Sequence, residues 1–472
     1  MRPLDPSLFR TKPVDELIGM TRREGGLKKV LGSLELILLG IGAIVGTGIF
    51  VITGVVAAYY SGPALVLSFV FSGLVCVVAA LCYAEFAAMV PVAGSAYTYS
   101  YASLGEIWAW IIGWDLILEY SVAIAAVAIG WSGYVTETFH LIGLELPAAL
   151  VNPPGTAGGL INLPAVLIIA GITCLLIVGV QESARVNNVI VAIKLSVILL
   201  FLILGIPHIN PANWHPFMPY GLQGVFTGAA IVFFAYIGFD AVSTAAEEVR
   251  DPQKDLPIGI IGSLSVSTLL YIVVSAVLTG LVSYLLFKGT NAPVAFALEE
   301  IGITWGSELV AVGAICGITS VLIVLLFGQS RIFFAMARDG LLPRFFSTVH
   351  PRFRTPVNVT VLVGATTAAI ASLLPLEAVA ELVNIGTLAA FIIVTAGVVV
   401  LRRTQPELKR PFRVPLVPVI PVLCIISCGY LILSLPTITH ARFVVWLLIG
   451  LVIYFSYSRY HSALSQKTPD EG

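Results

Sequence analysis

Apolar and polar positions along this chain come in long blocks. Predominantly apolar segments of about 20 residues are separated by short polar stretches, and a segment of that length is what a helix needs to cross the hydrocarbon core of a bilayer. Twelve such spans start near Leu34, Pro63, Glu106, Leu163, Val186, Gln223, Pro257, Ser307, Val357, Glu381, Pro415 and Ala441. The pattern therefore predicts an all-α polytopic membrane protein with 12 transmembrane helices.

Composition agrees with this prediction. Of the 472 residues, 58% are apolar and only 11% are charged, against about 25% charged residues in an ordinary soluble domain. The mean hydropathy is +0.99. These values exclude a soluble enzyme, a disordered protein and a secreted disulfide scaffold. The chain has neither a Walker A lysine motif nor an H-E-x-x-H motif, so we expect no ATP-driven engine, no zinc protease, no metal, no cofactor and no nucleic-acid partner.

The basic residues are distributed unevenly between the two sets of loops. Of the 25 lysines and arginines, 22 fall in the N-terminal arm, the loops on the same side as that arm, and the tail. Lys288 and Arg442 fall in the opposite loops, and Lys194 lies inside the fifth span. Because cytoplasmic loops carry the excess of basic residues, this distribution predicts that both termini are cytoplasmic.

The first span is rich in glycine near its middle. Gly40, Gly42, Gly46 and Gly48 each lower helix propensity by about 1 kcal/mol relative to alanine. Gly42 and Gly46 form a G-x-x-x-G pattern, which could simply be a helix-packing face. The run Gly46-Thr47-Gly48 favours the other interpretation, a broken helix whose free N–H groups can hold a carboxylate.

The sixth span carries Gly238 and then an acid, Asp240. A charged group in mid-bilayer costs about 2.5–3.5 kcal/mol, so this acid indicates a functional site. Two interrupted helices five spans apart indicate an inverted repeat with the site at its interface. We expect a cytoplasmic arm (1–33), two five-helix repeats (34–207 and 223–401), two additional helices (415–459) and a cytoplasmic tail (460–472).

Few other ionisable groups lie within the spans. Asp115 and Glu119 share one face of the third span. Lys194 lies about eight residues into its span and needs either a carboxylate partner, such as Glu119 or Asp240, or the loss of its proton. A proton-handling pair and a static ion pair both fit this pattern. Glu85 is interpreted as a solvated helix end. Arg331, Arg338 and Asp339 at the cytoplasmic end of the eighth span are interpreted as serving either membrane orientation or an inner gate.

Several motifs resemble those of the amino acid–polyamine–organocation (APC) transporter superfamily. The run from Gly42 to Phe50 looks like its first-helix signature. Three further stretches resemble the cationic amino acid transporter branch: 91–97, 236–252 and 330–343. The resemblance covers about residues 30–460 and points to a bacterial 12-helix homologue. It implies a LeuT-like fold with helices 1 and 6 broken, working by alternating access.

The resemblance also implies a binding site. The substrate carboxylate would meet the backbone N–H groups of Ile44, Thr47 and Gly48. The substrate ammonium would meet the carbonyls of Phe234, Ala235 and Ile237. Lys194 matches a fifth-helix lysine that stands in proton-coupled relatives where sodium-coupled relatives hold a cation, with Glu119 and Asp240 as further coupling or selectivity residues.

We therefore expect a secondary active transporter that imports small neutral or cationic amino acids across a bacterial inner membrane, coupled to protons. Its expected partners are the amino acid and the lipid bilayer, with no obligate protein partner indicated. An amino acid exchanger on the same fold is an alternative. A non-transporting nutrient sensor is a second alternative, which would call for longer soluble extensions than the arm and tail of this chain.

Overall fold

A computed structural model describes residues 10–13, 31–92, 95–141, 143–156, 158–178, 183–246, 249–290, 292–351, 353 and 355–466. Most of the predicted arm, the end of the predicted tail, and Gly94, Glu247 and Glu248 of the family motifs lie outside the described residues. Within the described ranges the chain is helical, apart from turns, loops and one isolated bridge between Leu31 and Val249.

Twelve membrane helices, α1–α12, run through the described part of the chain. Two of them are divided: α1 into α1a (Ser33–Ile44) and α1b (Gly48–Ile52, Thr53–Val56 and Ala57–Ser61), and α6 into α6a (Gly221–Val232), a 3-10 turn (Phe233–Tyr236) and α6b (Ala241–Thr244). The others are α2 (Leu65–Met89), α3 (Glu106–Leu141), α4 (Leu163–Val178), α5 (Ser183–Gly205), α7 (Pro252–Leu281), α8 (Thr304–Arg338), α9 (Val357–Leu373), α10 (Leu376–Thr404), α11 (Val419–Leu433) and α12 (Thr437–Ile453).

The number of spans and most of their starts agree with the sequence pattern. Length and hydropathy alone identify eight helical stretches able to cross a membrane, and the shorter α1a, α4, α9 and α11 complete the set. The predicted starts of α7 and α10 are each five residues late, since α7 begins at Pro252 and contains Pro257, and α10 begins at Leu376 instead of Glu381. The starts of α11 and α12 are each four residues from the predicted Pro415 and Ala441. A proline at the first helical position lacks only an N–H that would be unpaired there, so Pro252 is the natural start.

Both predicted breaks are present. In α1, Val45 adopts extended φ and ψ angles of −78° and 101° and ends α1a. In α6, Ile237 is extended and Gly238 has a φ of +112°, a conformation that favours glycine. A side chain at Gly238 would also lie 3.0 Å from the Cβ of Ala43 in α1a. Close approach of the two breaks therefore explains the glycine in the sixth span.

The helix packing follows an inverted repeat. Helices α2 and α7, α3 and α8, and α4 and α9 pack in pairs, each pair joining equivalent members of the two predicted repeats. Helix α1a packs on α7 as α6a packs on α2, and α5 packs on α8 as α10 packs on α3. The fold is thus the LeuT-like 5+5 arrangement with two additional helices. The residue limits given above for the repeats, arm and tail stay a prediction, which this packing supports.

Two buried ion-pair networks lie on the N-terminal side, meaning the membrane face at which α1 begins. The Nζ of Lys12 lies 2.5 Å from an oxygen of Asp339, whose other oxygen accepts from Tyr97. The interpretation of Glu85 as a solvated end is wrong. Its carboxylate is buried, accepts 2.9 Å and 2.5 Å hydrogen bonds from Arg402 and accepts the N–H of Val414, because the loop after α10 folds over the end of α2.

Candidate substrate-binding site

The two helix breaks face each other and enclose a small cavity. A side chain at Gly48 would overlap Ala235, so the backbones of α1b and α6 are in direct contact. The cavity measures about 20 Å³, which is room for one water molecule. Its lining consists of Ala43, Ile44, Gly46, Thr47, Gly48, Ala123, Val127, Phe234, Ile237, Val321 and Leu325. The cavity is therefore closed in this conformation and would have to open to hold anything larger than a water molecule.

On the α1 side, the predicted residues lie on both edges of the break. Thr47 and Gly48 begin α1b, where the first N–H groups of a helix lack intrahelical partners and carry partial positive charge. The Thr47 hydroxyl is buried and has no hydrogen-bond partner in the described part of the chain. Ile44 is the last residue of α1a. The start of α1b therefore offers unpaired donors to a negatively charged group.

On the α6 side, Phe234 and Ala235 lie in the 3-10 turn and Ile237 follows it. The carbonyl of Phe234 accepts the N–H of Ile237 at 3.3 Å. The carbonyl of Ala235 accepts the hydroxyl of Tyr271 in α7 at 2.6 Å. Carbonyls at the end of a half-helix carry partial negative charge and therefore favour a positively charged group.

Tyr271 links the two breaks. Its hydroxyl lies 2.9 Å from the carbonyl oxygen of Ile44 and 2.6 Å from that of Ala235, so a single O–H is shared between α1 and α6. The side chain is fully buried. Sequence reasoning missed this residue because it considered only charged groups within the spans.

Lys194 lies beside the α1 break, fully buried. Its Nζ donates to the carbonyl oxygens of Gly42 and Val45 at 3.0 and 2.7 Å. A side chain at Gly317 of α8 would lie 3.1 Å from the Cβ of Lys194, so the lysine stands between α1 and α8. Of the two alternatives left open for Lys194, the structure does not form the ion pair with Glu119 or Asp240: no acidic side chain among the described residues lies within ion-pair distance of it. The orphaned carbonyls at the end of α1a supply its partners instead.

Glu119 and Asp240 form a separate cluster with Asp115. All three are buried, and Glu119 interacts electrostatically with both other acids. Asp240 accepts from backbone N–H groups of the α6 break and from the hydroxyl of Tyr120. Both oxygens of Asp115 and one of Glu119 have no hydrogen-bond partner among the described residues. None of these acids lines the cavity.

Asn384 of α10 is the other buried polar residue at a break that sequence reasoning missed. Its Nδ2 donates to the carbonyl oxygens of Ala230 and Ile231 in α6a. The sequence did offer a signal for this residue, since Asn384 is a single amide side chain inside an apolar span.

Twelve helices in a 5+5 inverted repeat, with two half-helix ends of opposite partial charge meeting at the repeat interface, define a secondary transporter. The family model for amino acid permeases matches residues 31–457. The chain belongs to this family, which confirms the resemblance to the APC superfamily, and it is a permease rather than an enzyme.

Two relatives match this chain over nearly their full length, and a third matches it over part of its length. The chain is 53% identical to the branched-chain amino acid permease BcaP of Bacillus subtilis over 98% of this chain and 99% of that protein. It is 51% identical to the methylthioribose transporter of the same organism, over 98% and 100%. It is 39% identical to human cationic amino acid transporter 4 over 84% of this chain and 62% of that protein.

Proposed function

We propose that this permease imports amino acids with small or medium apolar side chains, in symport with protons. The observation that carries the substrate class is the cavity lining. Apart from Thr47, the side chains of the lining are apolar, and they include Ala123, Val127, Phe234, Ile237, Val321 and Leu325. No charged side chain lines the cavity, so a basic amino acid would bury its charge without a partner.

The opposite partial charges of the two breaks favour an amino acid over a neutral substrate. The N–H groups at Thr47 and Gly48 suit a carboxylate, and the carbonyls at Phe234 and Ile237 suit an ammonium. A sugar thioether such as methylthioribose carries neither group. It is the second candidate substrate because of the 51% identity to a methylthioribose transporter.

Lys194 supports proton coupling. An ammonium at this position places a positive charge between α1 and α8, so a metal cation is not needed to supply that charge. When the cavity opens to either side, water reaches the α1 break and can take or return the proton. We further propose that the protein lies in a bacterial plasma membrane with both termini in the cytoplasm, as the basic loops predict.

The test is uptake of radiolabelled leucine into proteoliposomes, with and without an inward proton gradient. We expect accumulation driven by the gradient, acidification of the lumen on substrate addition, and no requirement for sodium. Unlabelled valine and isoleucine should compete, whereas arginine, leucine methyl ester and methylthioribose should not.

Three outcomes contradict the proposal in different ways. Competition by methylthioribose but not by valine would make the sugar thioether the substrate. Strong competition by arginine would overturn the apolar preference. Uptake that occurs only into vesicles preloaded with amino acid would establish an exchanger.

A further inference from the structure

Asn384 of α10 caps the end of a half-helix. Its Nδ2 donates to the carbonyl oxygens of Ala230 at 2.7 Å and Ile231 at 3.3 Å. Both belong to the last turn of α6a, just before Phe233, where the helix changes to a 3-10 turn. Carbonyls at a helix C-terminus lack the amide partners that they have in the helix interior, so a side-chain donor satisfies them.

The same contact occurs in the other repeat. Lys194 of α5 donates to the carbonyl oxygens of Gly42 and Val45, at the end of α1a. In the inverted repeat α5 corresponds to α10 and α1 to α6. In each repeat, a buried donor on the fifth helix therefore binds two carbonyls at the point where the first helix breaks.

The two donors differ in one chemical property. A lysine ammonium can lose its proton, whereas an asparagine amide does not titrate. The Oδ1 of Asn384 is also buried and has no hydrogen-bond partner in the parts of the chain that the structure describes. A buried acceptor without a partner is unusual and calls for a role that outweighs its cost.

We propose that Asn384 is a positioning residue for transport, the non-titrating counterpart of Lys194. It fixes the end of α6a, and thereby the Phe234 and Ile237 carbonyls, while the α1 break responds to the charge of Lys194. This inference rests on the proposed function. It adds a residue that lies outside the cavity and acts on the binding site through α6a.

The consequence is that a donor at position 384 is needed in every protonation state of Lys194. Asn384→Leu removes the donor, and we expect the KM for leucine to rise about tenfold, because carbonyls of α6a lose a buried hydrogen bond. The pH at which uptake is half-maximal should stay that of the wild type. A change in pH dependence would instead place Asn384 in the proton pathway and overturn the proposal.

Asn384→Asp gives the sharper test. Its carboxyl group has the shape of the amide but can donate only when protonated. Acids of α3 disfavour its ionisation, because an added Cβ at Gly386, two residues along α10, would lie 2.7 Å from Oδ1 of Asp115 and 3.7 Å from the Cβ of Glu119. Asp240, after α6a, lies close to Glu119 and adds to this effect. We expect its leucine uptake relative to wild type to fall about tenfold between about pH 6 and about pH 9, as the introduced carboxyl group ionises.

Thr395→Val is the matched control. Thr395 is buried in the same helix and donates to Cys424 at 3.2 Å, away from both breaks. Its variant should keep the wild-type KM and pH profile. A constant ratio of Asn384→Asp to wild-type uptake at all pH values would overturn the proposal, and this measurement stands even if Asn384→Leu fails to fold. Absence of leucine uptake by the wild type would instead contradict the proposed function itself.

Discussion

The side-chain nitrogen of Lys194 lies 2.7 Å from the carbonyl oxygen of Val45, the residue at which α1 breaks. The carbonyl end of a half-helix carries partial negative charge, so it stabilises the ammonium without a carboxylate partner. The charge of Lys194 is therefore linked directly to the geometry of the predicted carboxylate site, two residues further along the chain at Thr47.

Replacing Lys194 should separate binding from coupling. Lys194→Met removes the charge while keeping a long side chain, and we expect residual leucine counterflow but no accumulation driven by a proton gradient. Lys194→Arg should also fail, because arginine stays protonated in proteins and its larger head group must fit beside Gly317. Gradient-driven accumulation by Lys194→Met, or a sodium requirement in the wild type, would make Lys194 a structural charge.

Gly48→Ala should abolish substrate binding. The added Cβ would overlap the Cα and Cβ of Ala235, so α1b and α6 could no longer meet at the site. Scintillation proximity binding of leucine measures the effect, and size-exclusion chromatography checks that the protein still folds. Gly429→Ala is the control, because nothing lies within 4 Å of its added Cβ. Normal binding by Gly48→Ala would rule out the contact between the breaks as part of the site.

Tyr271→Phe should weaken binding while leaving the fold intact. The hydroxyl is the hydrogen-bond donor that links the carbonyls of Ile44 and Ala235 across the two breaks. Loss of a buried hydrogen bond costs about 1–3 kcal/mol, and we expect a rise of about tenfold in the KM for leucine. If the KM were unchanged and only the thermal stability fell, Tyr271 would serve folding alone.

Glu119→Gln distinguishes selectivity from coupling. Glu119 lies beside Asp240 and Asp115 rather than on the cavity wall. The amide keeps the size of the side chain but cannot carry a proton, so we expect counterflow of leucine to persist and gradient-driven accumulation to fall. Competition by arginine in the variant but not in the wild type, with gradient-driven accumulation of leucine intact, would assign Glu119 to substrate selectivity instead.

Lys12 should stabilise the packing of the N-terminal side. Its ion pair with Asp339 is buried, and breaking a buried pair by removing one partner costs about 3–5 kcal/mol. Lys12→Met should therefore lower the thermal unfolding temperature, and adding Asp339→Leu should recover part of the loss. Additive effects of the two substitutions would show that the pair contributes no interaction energy.

The sequence by itself determined the class of protein and its architecture. Long apolar blocks fix the membrane helices, because the bilayer demands a minimum apolar length. The glycines of the first span and the Gly238–Asp240 pair marked both breaks, because they are costly inside a membrane helix unless the helix is interrupted there. These are local properties of the chain, so they can be recognised in the sequence without knowing which residues are in contact.

Only the tertiary structure decided which groups meet. It placed Lys194 on the α1 carbonyls instead of on Glu119 or Asp240, and it folded Arg402 onto Glu85. It also brought Tyr271 and Asn384 to the breaks from helices distant in sequence. The reason is physical: a buried polar group takes whichever partner the packing brings within hydrogen-bond distance. Orphaned backbone carbonyls at a helix end, unlike side chains, leave no mark in the sequence.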